Sequence, residues 1–464
     1  MTVVDRHLLR AAAFFLITLC GTAPGAADGA ERWNSCVIAN CHSSFRDTQH
    51  LHFPVAMGVC KICHRPTSAG GHDFRLAREG GDLCRYCHPE IGAEHNDHSI
   101  FGARECTICH DPHGSGHRFL LPEAQSADMC EGCHAQILRG RSVLHTPVAT
   151  GPCTVCHDPH GSDPDHTAGD TASLCFQCHE VTGQELETLD HIHEPLKSGD
   201  CGHCHDAHGS ESAMNLRDDV PALCYRCHEE IERTVQTAMH QHSVASEPGG
   251  CLICHSPHAS SVRFGLNSDP LTLCRGCHEN DMTTEEGETI PGFAHQVEGK
   301  KYLHGPVRQR DCGACHNSHG SDHFRLLVGE YSPEFYASFD LDNFQLCFSC
   351  HPQRGVLTEE TTTLTDFRNG KLNLHYLHVN KPDKGRTCRA CHATHASDRP
   401  KHISDRIWFG DWEMPITFAK TETGGNCESG CHRPRAYDRE MPVDYGEEGE
   451  PVPDRETPPG EIGE

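Results

Sequence analysis

The sequence predicts an extended repeat protein, mostly irregular chain with short α-helices and little β structure, whose side chains alone do not make its core. Apolar residues are 36% of the 464, and 31 of them are cysteine, so few aliphatic and aromatic side chains remain for a conventional core. The 31 cysteines and 41 histidines are far above ordinary usage, and they recur in register at the intervals of a structural repeat. Either a non-protein group supplies the missing buried surface or the chain is disordered.

Charge narrows the class. Lys and Arg number 39 against 66 Asp and Glu, a net charge of −27 with neutral histidine. No basic run could neutralise phosphates, which argues against nucleic acid, and a charged partner would offer a basic face. Residues 1–27 read as an export signal. Arg6 and Arg10 form its positive region, Ala11 to Leu19 its apolar stretch, and Ala23-Pro24-Gly25-Ala26-Ala27 its cleavage site. The stretch is too short to span a bilayer. Cys20 offers a lipid-anchor alternative, against which the bulky Leu19 counts. No later segment has the length of a transmembrane span, and no run of alternating strands suggests a barrel. The expected location is therefore outside the cytoplasm: periplasmic, associated with an outer membrane, or extracellular.

Cys-x-x-Cys-His occurs thirteen times. The motifs are Cys60, Cys63 and His64; Cys84, Cys87 and His88; Cys106, Cys109 and His110; Cys130, Cys133 and His134; Cys153, Cys156 and His157; Cys175, Cys178 and His179; Cys201, Cys204 and His205; Cys224, Cys227 and His228; Cys251, Cys254 and His255; Cys274, Cys277 and His278; Cys312, Cys315 and His316; Cys347, Cys350 and His351; and Cys388, Cys391 and His392. Two looser versions flank them, Cys36, Cys41 and His42, and Cys427, Cys431 and His432. Together they use every cysteine except Cys20.

This pattern has the chemistry of covalent haem attachment. Two thiols add across the two haem vinyl groups, and the adjacent imidazole becomes an axial ligand of the iron. Zinc sites also use Cys-x-x-Cys but do not require a histidine directly after the second cysteine. Disulfides do not require it either. All fifteen pairs have that histidine, so the expected cofactor is haem c, about fifteen copies.

The motifs alternate between two kinds and form seven pairs, beginning at Cys60, Cys106, Cys153, Cys201, Cys251, Cys312 and Cys388. Successive pairs are 46, 47, 48, 50, 61 and 76 residues apart, so the last repeats carry insertions. The first motif of a pair is followed three residues on by another histidine: His113, His160, His208, His258, His319 and His395. In the first pair Thr67 stands at that place. A further histidine precedes each pair by eight to ten residues: His52, His98, His145, His193, His242, His304 and His378. These thirteen are the expected distal ligands. His72 and one of His50, His95, His191, His240 or His375, with His375 preferred, would complete fifteen. His117, His166, His203 and His402 read as surface histidines. Met57 and Met129 read as packing residues, so bis-histidine haems of low potential are expected.

The His-x-x-His pairs constrain the geometry. His110 and His113 are three residues apart, a reach of at most ~10 Å. Trans ligands extend from opposite faces of one haem, so His113 is expected on a neighbouring haem.

The form His-x-Pro-Val, then Cys-x-x-Cys-His-x-Pro-His-Gly-Ser, then Leu-Cys-x-x-Cys-His is clearest from His145-Thr-Pro-Val148 onward. It resembles the doubled-CXXCH multihaem cytochromes. Among these it is similar to the decahaem periplasmic subunit of porin–cytochrome conduits and to smaller periplasmic electron donors. The resemblance runs from Cys36 to His432. It implies a multihaem cytochrome fold, an extended chain of bis-histidine haems, and redox proteins as partners, an outer-membrane porin or another cytochrome among them.

The expected organisation is a signal at 1–27, a single-haem segment at 28–49, seven paired-haem repeats at 50–437 and a disordered tail at 438–464, rich in Pro and acid. One helix is expected over Pro221 to Val235. Electron transfer without catalysis is the expected function. The alternative is a multihaem reductase of nitrogen or sulfur oxyanions, which would need an open coordination position.

Overall fold

The structure, a computed structural model, describes residues 42–68, 72–89, 91, 98, 106–122, 127–160, 171–284, 287, 289–410 and 412–446. The expected signal, Cys36, Cys41, His95, His166 and the tail beyond 446 lie outside the described residues. The chain divides into two compact units. One ends at Cys175 and takes in Ala207–Gly209; the other comprises Phe176–Asp206 and the chain from Ser210 onward.

The two kinds of motif fold differently. Most first motifs open on a single 3-10 turn, as at Cys60–Ile62, Cys106–Ile108, Cys201–His203, Cys312–Ala314 and Cys388–Ala390, while that of the fifth pair lies on the helix Gly250–Cys254. Second motifs sit on or at the end of short α-helices, such as Gly81–Arg85, Ala127–His134 and Pro270–His278. In both kinds the histidine N–H donates to the carbonyl of the first cysteine four residues back, as His110 does to Cys106 and His228 to Cys224. One α-type turn therefore brings the first thiol and the imidazole to one side of the backbone.

The helix expected over Pro221–Val235 is two helices, Ala222–Tyr225 and Glu229–Thr237. His228 interrupts them with φ −102° and ψ 53°, because the motif histidine must leave the helical direction.

Five of the repeats are stapled by the same small device. Two residues just before an upstream histidine pair antiparallel with two residues just after a downstream histidine of the next repeat. The pairs are His50–Leu51 with Gly114–Ser115, His191–Ile192 with Ala259–Ser260, His240–Gln241 with Gly320–Ser321, and Tyr302–Leu303 with Ala396–Ser397. Leu144 and Gly209 approach in the same way. The small residue after the downstream histidine is required by this approach. A Cβ on Gly114 would lie 2.8 Å from the His50 carbonyl oxygen, and one on Gly209 would lie 2.5 Å from that of Val143. The buried serine that follows, Ser115, Ser260, Ser321 or Ser397, donates to a carbonyl two or six residues on and accepts the N–H two residues on.

Among the described residues, side-chain cores lie in the last two repeats. Phe344, Val356 and Val379 pack with Phe339, Phe348 and Cys388; Ile407, Met414 and Ile416 pack with Phe335, Ile403, Phe418 and Cys427. The earlier repeats instead expose apolar side chains beside their motifs, including Ile62, Ile108, Val155, Ile253 and Phe264, the last 79% exposed.

The C-terminal region departs from the expected scarcity of β structure. Arg406–Phe409, Trp412–Lys420, Gly424–Ser429 and His432–Asp438 form a four-stranded antiparallel meander. The extra residue of the Cys427, Cys431, His432 motif is explained by it. Cys427 and His432 lie on adjacent strands joined by a hairpin, where the other motifs form an α-turn. The start of the expected disordered tail is also ordered. Asn369 accepts the Val443 N–H at 2.8 Å and donates to the Val443 carbonyl at 2.8 Å, and the Tyr445 hydroxyl donates to the Ala436 carbonyl at 3.0 Å.

Expressed without haem attachment, the chain is expected to be unfolded and protease-sensitive through its first five repeats, where no side-chain core replaces the missing group. Limited proteolysis with amide NMR would check this; dispersed signals from those repeats would count against it.

Candidate metal centres

Among the described residues, twelve pairs of histidine rings face one another with centres 5.8–6.4 Å apart. In one series an upstream histidine faces the second-motif histidine of its own repeat: His52 and His88 at 6.1 Å between ring centres, His98 and His134 at 5.9 Å, His193 and His228 at 6.1 Å, His242 and His278 at 6.0 Å, and His304 and His351 at 6.1 Å. In the other, a first-motif histidine faces the downstream histidine of the next repeat. These are His64 and His113, His110 and His160, and His157 and His208, all at 5.8 Å; His205 and His258 at 6.2 Å; His255 and His319 at 6.0 Å; and His316 and His395 at 6.2 Å. The twelfth pair is His375 and His392 at 6.4 Å.

The spacing is diagnostic. A metal-bound imidazole nitrogen lies about 2 Å from the metal, so its ring centre lies about 3 Å away. Two trans imidazoles on one metal atom therefore stand about 6 Å apart, well beyond direct ring stacking. His402, expected at the surface, adds a third ring edge-on to His304 at 5.4 Å, but among the described residues no group of three or more His, Cys, Asp or Glu side chains could hold a bare ion.

Backbone carbonyls orient the rings. First-motif histidines direct Nδ1 at a carbonyl nine residues on: His110 to Phe119 at 2.7 Å, His205 to Met214 at 2.9 Å, His255 to Phe264 at 2.9 Å, His316 to Arg325 at 3.0 Å and His392 to Lys401 at 2.9 Å. Every one of these acceptor residues is left-handed, with φ between 54° and 63°. The next residue is left-handed too, and its carbonyl accepts the N–H just after the motif histidine, as Leu120 does from Asp111 and Leu326 from Asn317. Upstream histidines direct Nδ1 at the carbonyl that precedes a downstream histidine: His52 at Pro112, His145 at Ala207, His193 at Pro257 and His242 at Ser318, at 2.8–3.0 Å. With Nδ1 so engaged, Nε2 is the nitrogen left for a metal.

Burial favours the neutral, ligating form. It pushes His375, His378 and His395 down to about 4, helped by the neighbouring His392 for His375 and His316 for His395. His378 lies close enough to His432 to feel its charge. The first and last centres are less regular. His42 lies parallel to Phe45, a neighbour in its own turn, and His72 packs edge-on against Phe74 at 5.7 Å. The sequence reading ranked His375 only as a supplementary ligand. Its lack of repeat register concealed that it faces His392.

The doubled CXXCH motif matches the chain at residues 52–93, 98–138, 145–184, 193–233, 242–283 and 304–355, more than half of its length. The chain belongs to the doubled-CXXCH family. It is a multihaem c-type cytochrome whose six doubled motifs imply roughly twelve covalent haem c sites and redox proteins as partners. No curated protein matches the chain. Among the described residues no helix is long and apolar enough to cross a membrane.

The residues present fit haem. Each facing pair offers two imidazoles at the separation one metal atom requires, each motif histidine directly follows a pair of thiols in sequence, and apolar side chains such as Ile62 and Ile108 are exposed within the motifs. The intact mass of the isolated protein should exceed that of the polypeptide by thirteen haems, and by fifteen if the Cys36 and Cys427 motifs are also loaded.

Proposed function

We propose that the protein is an exported electron carrier holding about fifteen bis-histidine haems, and that it passes electrons between periplasmic donors and a distal acceptor. The observation that carries this reading is the division of labour within each first-motif turn. His110 faces His160, while His113, three residues later, faces His64. The same split holds for His205 and His208, His255 and His258, and His316 and His319. One turn thus grips two neighbouring centres, and its short backbone keeps them close, which is what electron tunnelling requires.

Haem c supplies reversible one-electron chemistry when bound. The motif cysteines would hold it covalently, the facing histidines would ligate its metal, and the carbonyls that engage Nδ1 fix the imidazole tautomer. Filled axial positions support carriage over catalysis, because a reductase of oxyanions needs an open position for its substrate. Export rests on the Arg6 to Ala27 segment. The acceptor is another redox protein, and an outer-membrane porin–cytochrome assembly is the partner that the sequence resemblance implies.

Replacing His160 by Ala is expected to leave the haem at Cys153 and Cys156 six-coordinate, because His157 faces His208. The haem at Cys106 and Cys109 should become high-spin, with a raised potential and reactivity toward carbon monoxide. Optical and electron paramagnetic resonance spectra would check this; a wholly low-spin variant would contradict the assigned pairing.

A further inference from the structure

The residue directly after each first-motif histidine is not constant. It is Asp111, Asp158 and Asp206 in the second, third and fourth repeats, and Ser256, Asn317 and Ala393 in the fifth, sixth and seventh. The structure shows what this residue does. Asp111 accepts the backbone N–H of His113 at 2.9 Å, and Asp158 that of His160 at 2.9 Å. Asn317 accepts the N–H of His319 in the same way at 3.1 Å. The turn is therefore independent of charge. The charge, however, is delivered to a ligand. A carboxylate oxygen of Asp111 lies 3.7 Å from Nδ1 of His113, and one of Asp158 lies 3.9 Å from Nδ1 of His160.

Toward the C-terminus the partner becomes neutral. His395 directs Nδ1 at the amide oxygen of Gln296, 2.6 Å away, on the helix Phe293–Val297. His258 is intermediate, with Ser256 in the turn but Glu185 nearby.

We infer that the charge of the side chain beside each downstream histidine grades the haem potentials along the chain. Asp111 and Asp158 hold the centres of His64/His113 and His110/His160 low, while Asn317 and Gln296 leave those of His255/His319 and His316/His395 higher. A carboxylate beside Nδ1–H makes the imidazole a more basic ligand and adds negative charge near the metal. Both effects favour the ferric over the ferrous state. One electron supplied by an external redox protein then moves from a ferrous N-terminal site to a ferric C-terminal one. No bond is made or broken, and reducing equivalents settle in the last repeats. Asp111 and Asp158 act through their histidines and are positioning and tuning residues.

This inference rests on the bis-histidine reading, and its test is separable from it. Asp158→Asn in the full-length haem-loaded protein keeps the turn, as Asn317 already does. In a spectroelectrochemical titration one low-potential step should move upward, raising the reduced-to-oxidised ratio of that centre roughly fivefold at fixed applied potential, with the spectrum still low-spin. The reciprocal Asn317→Asp should move one high-potential step downward. If His160→Ala creates no high-spin haem, the pairing itself fails. If it does, yet Asp158→Asn and Asn317→Asp leave every step in place or move them in the opposite sense, the grading is overturned.

Discussion

Two imidazoles on opposite sides of one metal atom must stand about 6 Å apart, with their nitrogens aimed at the same point. The rest of this structure serves that demand. A short irregular chain cannot hold two rings so by packing, since rotamer freedom of even one histidine would lose the geometry. The chain solves the problem with carbonyls. It tolerates pairs of left-handed residues such as Phe119-Leu120 and Arg325-Leu326, each residue costing roughly 1 kcal/mol, to aim one carbonyl at the ring and the next at the backbone beside it. In these pairs the strain orients a ring and the backbone beside it.

The same demand explains the repeat. A downstream histidine faces the first-motif histidine of the repeat before it, as His113 faces His64, while an upstream histidine faces the second-motif histidine of its own repeat, as His52 faces His88. Ligand exchange between repeats makes each unit incomplete alone, the general condition of solenoid proteins. The two-residue strand pairs at His191–Ile192 with Ala259–Ser260, and their counterparts, follow because exchange brings those backbones together. The Gly-Ser or Ala-Ser after the downstream histidine is then a steric requirement of the crossing.

Much of this was legible in the sequence, because covalent attachment and ligation are written in residue type and spacing. The Cys and His positions, the two kinds of motif and the exchange of His113 to a neighbouring centre all follow from them. What was hidden is what does not repeat. His375 lies outside the register, so only the fold shows that it faces His392. The left-handed pairs were invisible because Phe119, Met214 and Lys401 share no residue type; what they share is a backbone angle and a distance of nine residues from a histidine. The C-terminal sheet escaped because its strands form one local meander rather than part of the repeat.

The ends of the array show the same logic under a different constraint. Thr67 stands where later repeats have a histidine, and the exchange rule accounts for it: that position serves the preceding repeat, and no doubled motif precedes the first. At the other end the rule leaves a debt, because no eighth repeat follows to supply His392 with a partner. His375, on the helix Leu374–Val379, takes that place, held by Asn373, which caps the helix and is fully buried. The insertions that stretch the last two repeats therefore have a definite task. They build the side-chain core around Phe344 and Met414 that the repeating part lacks, and they close its final centre from within the chain.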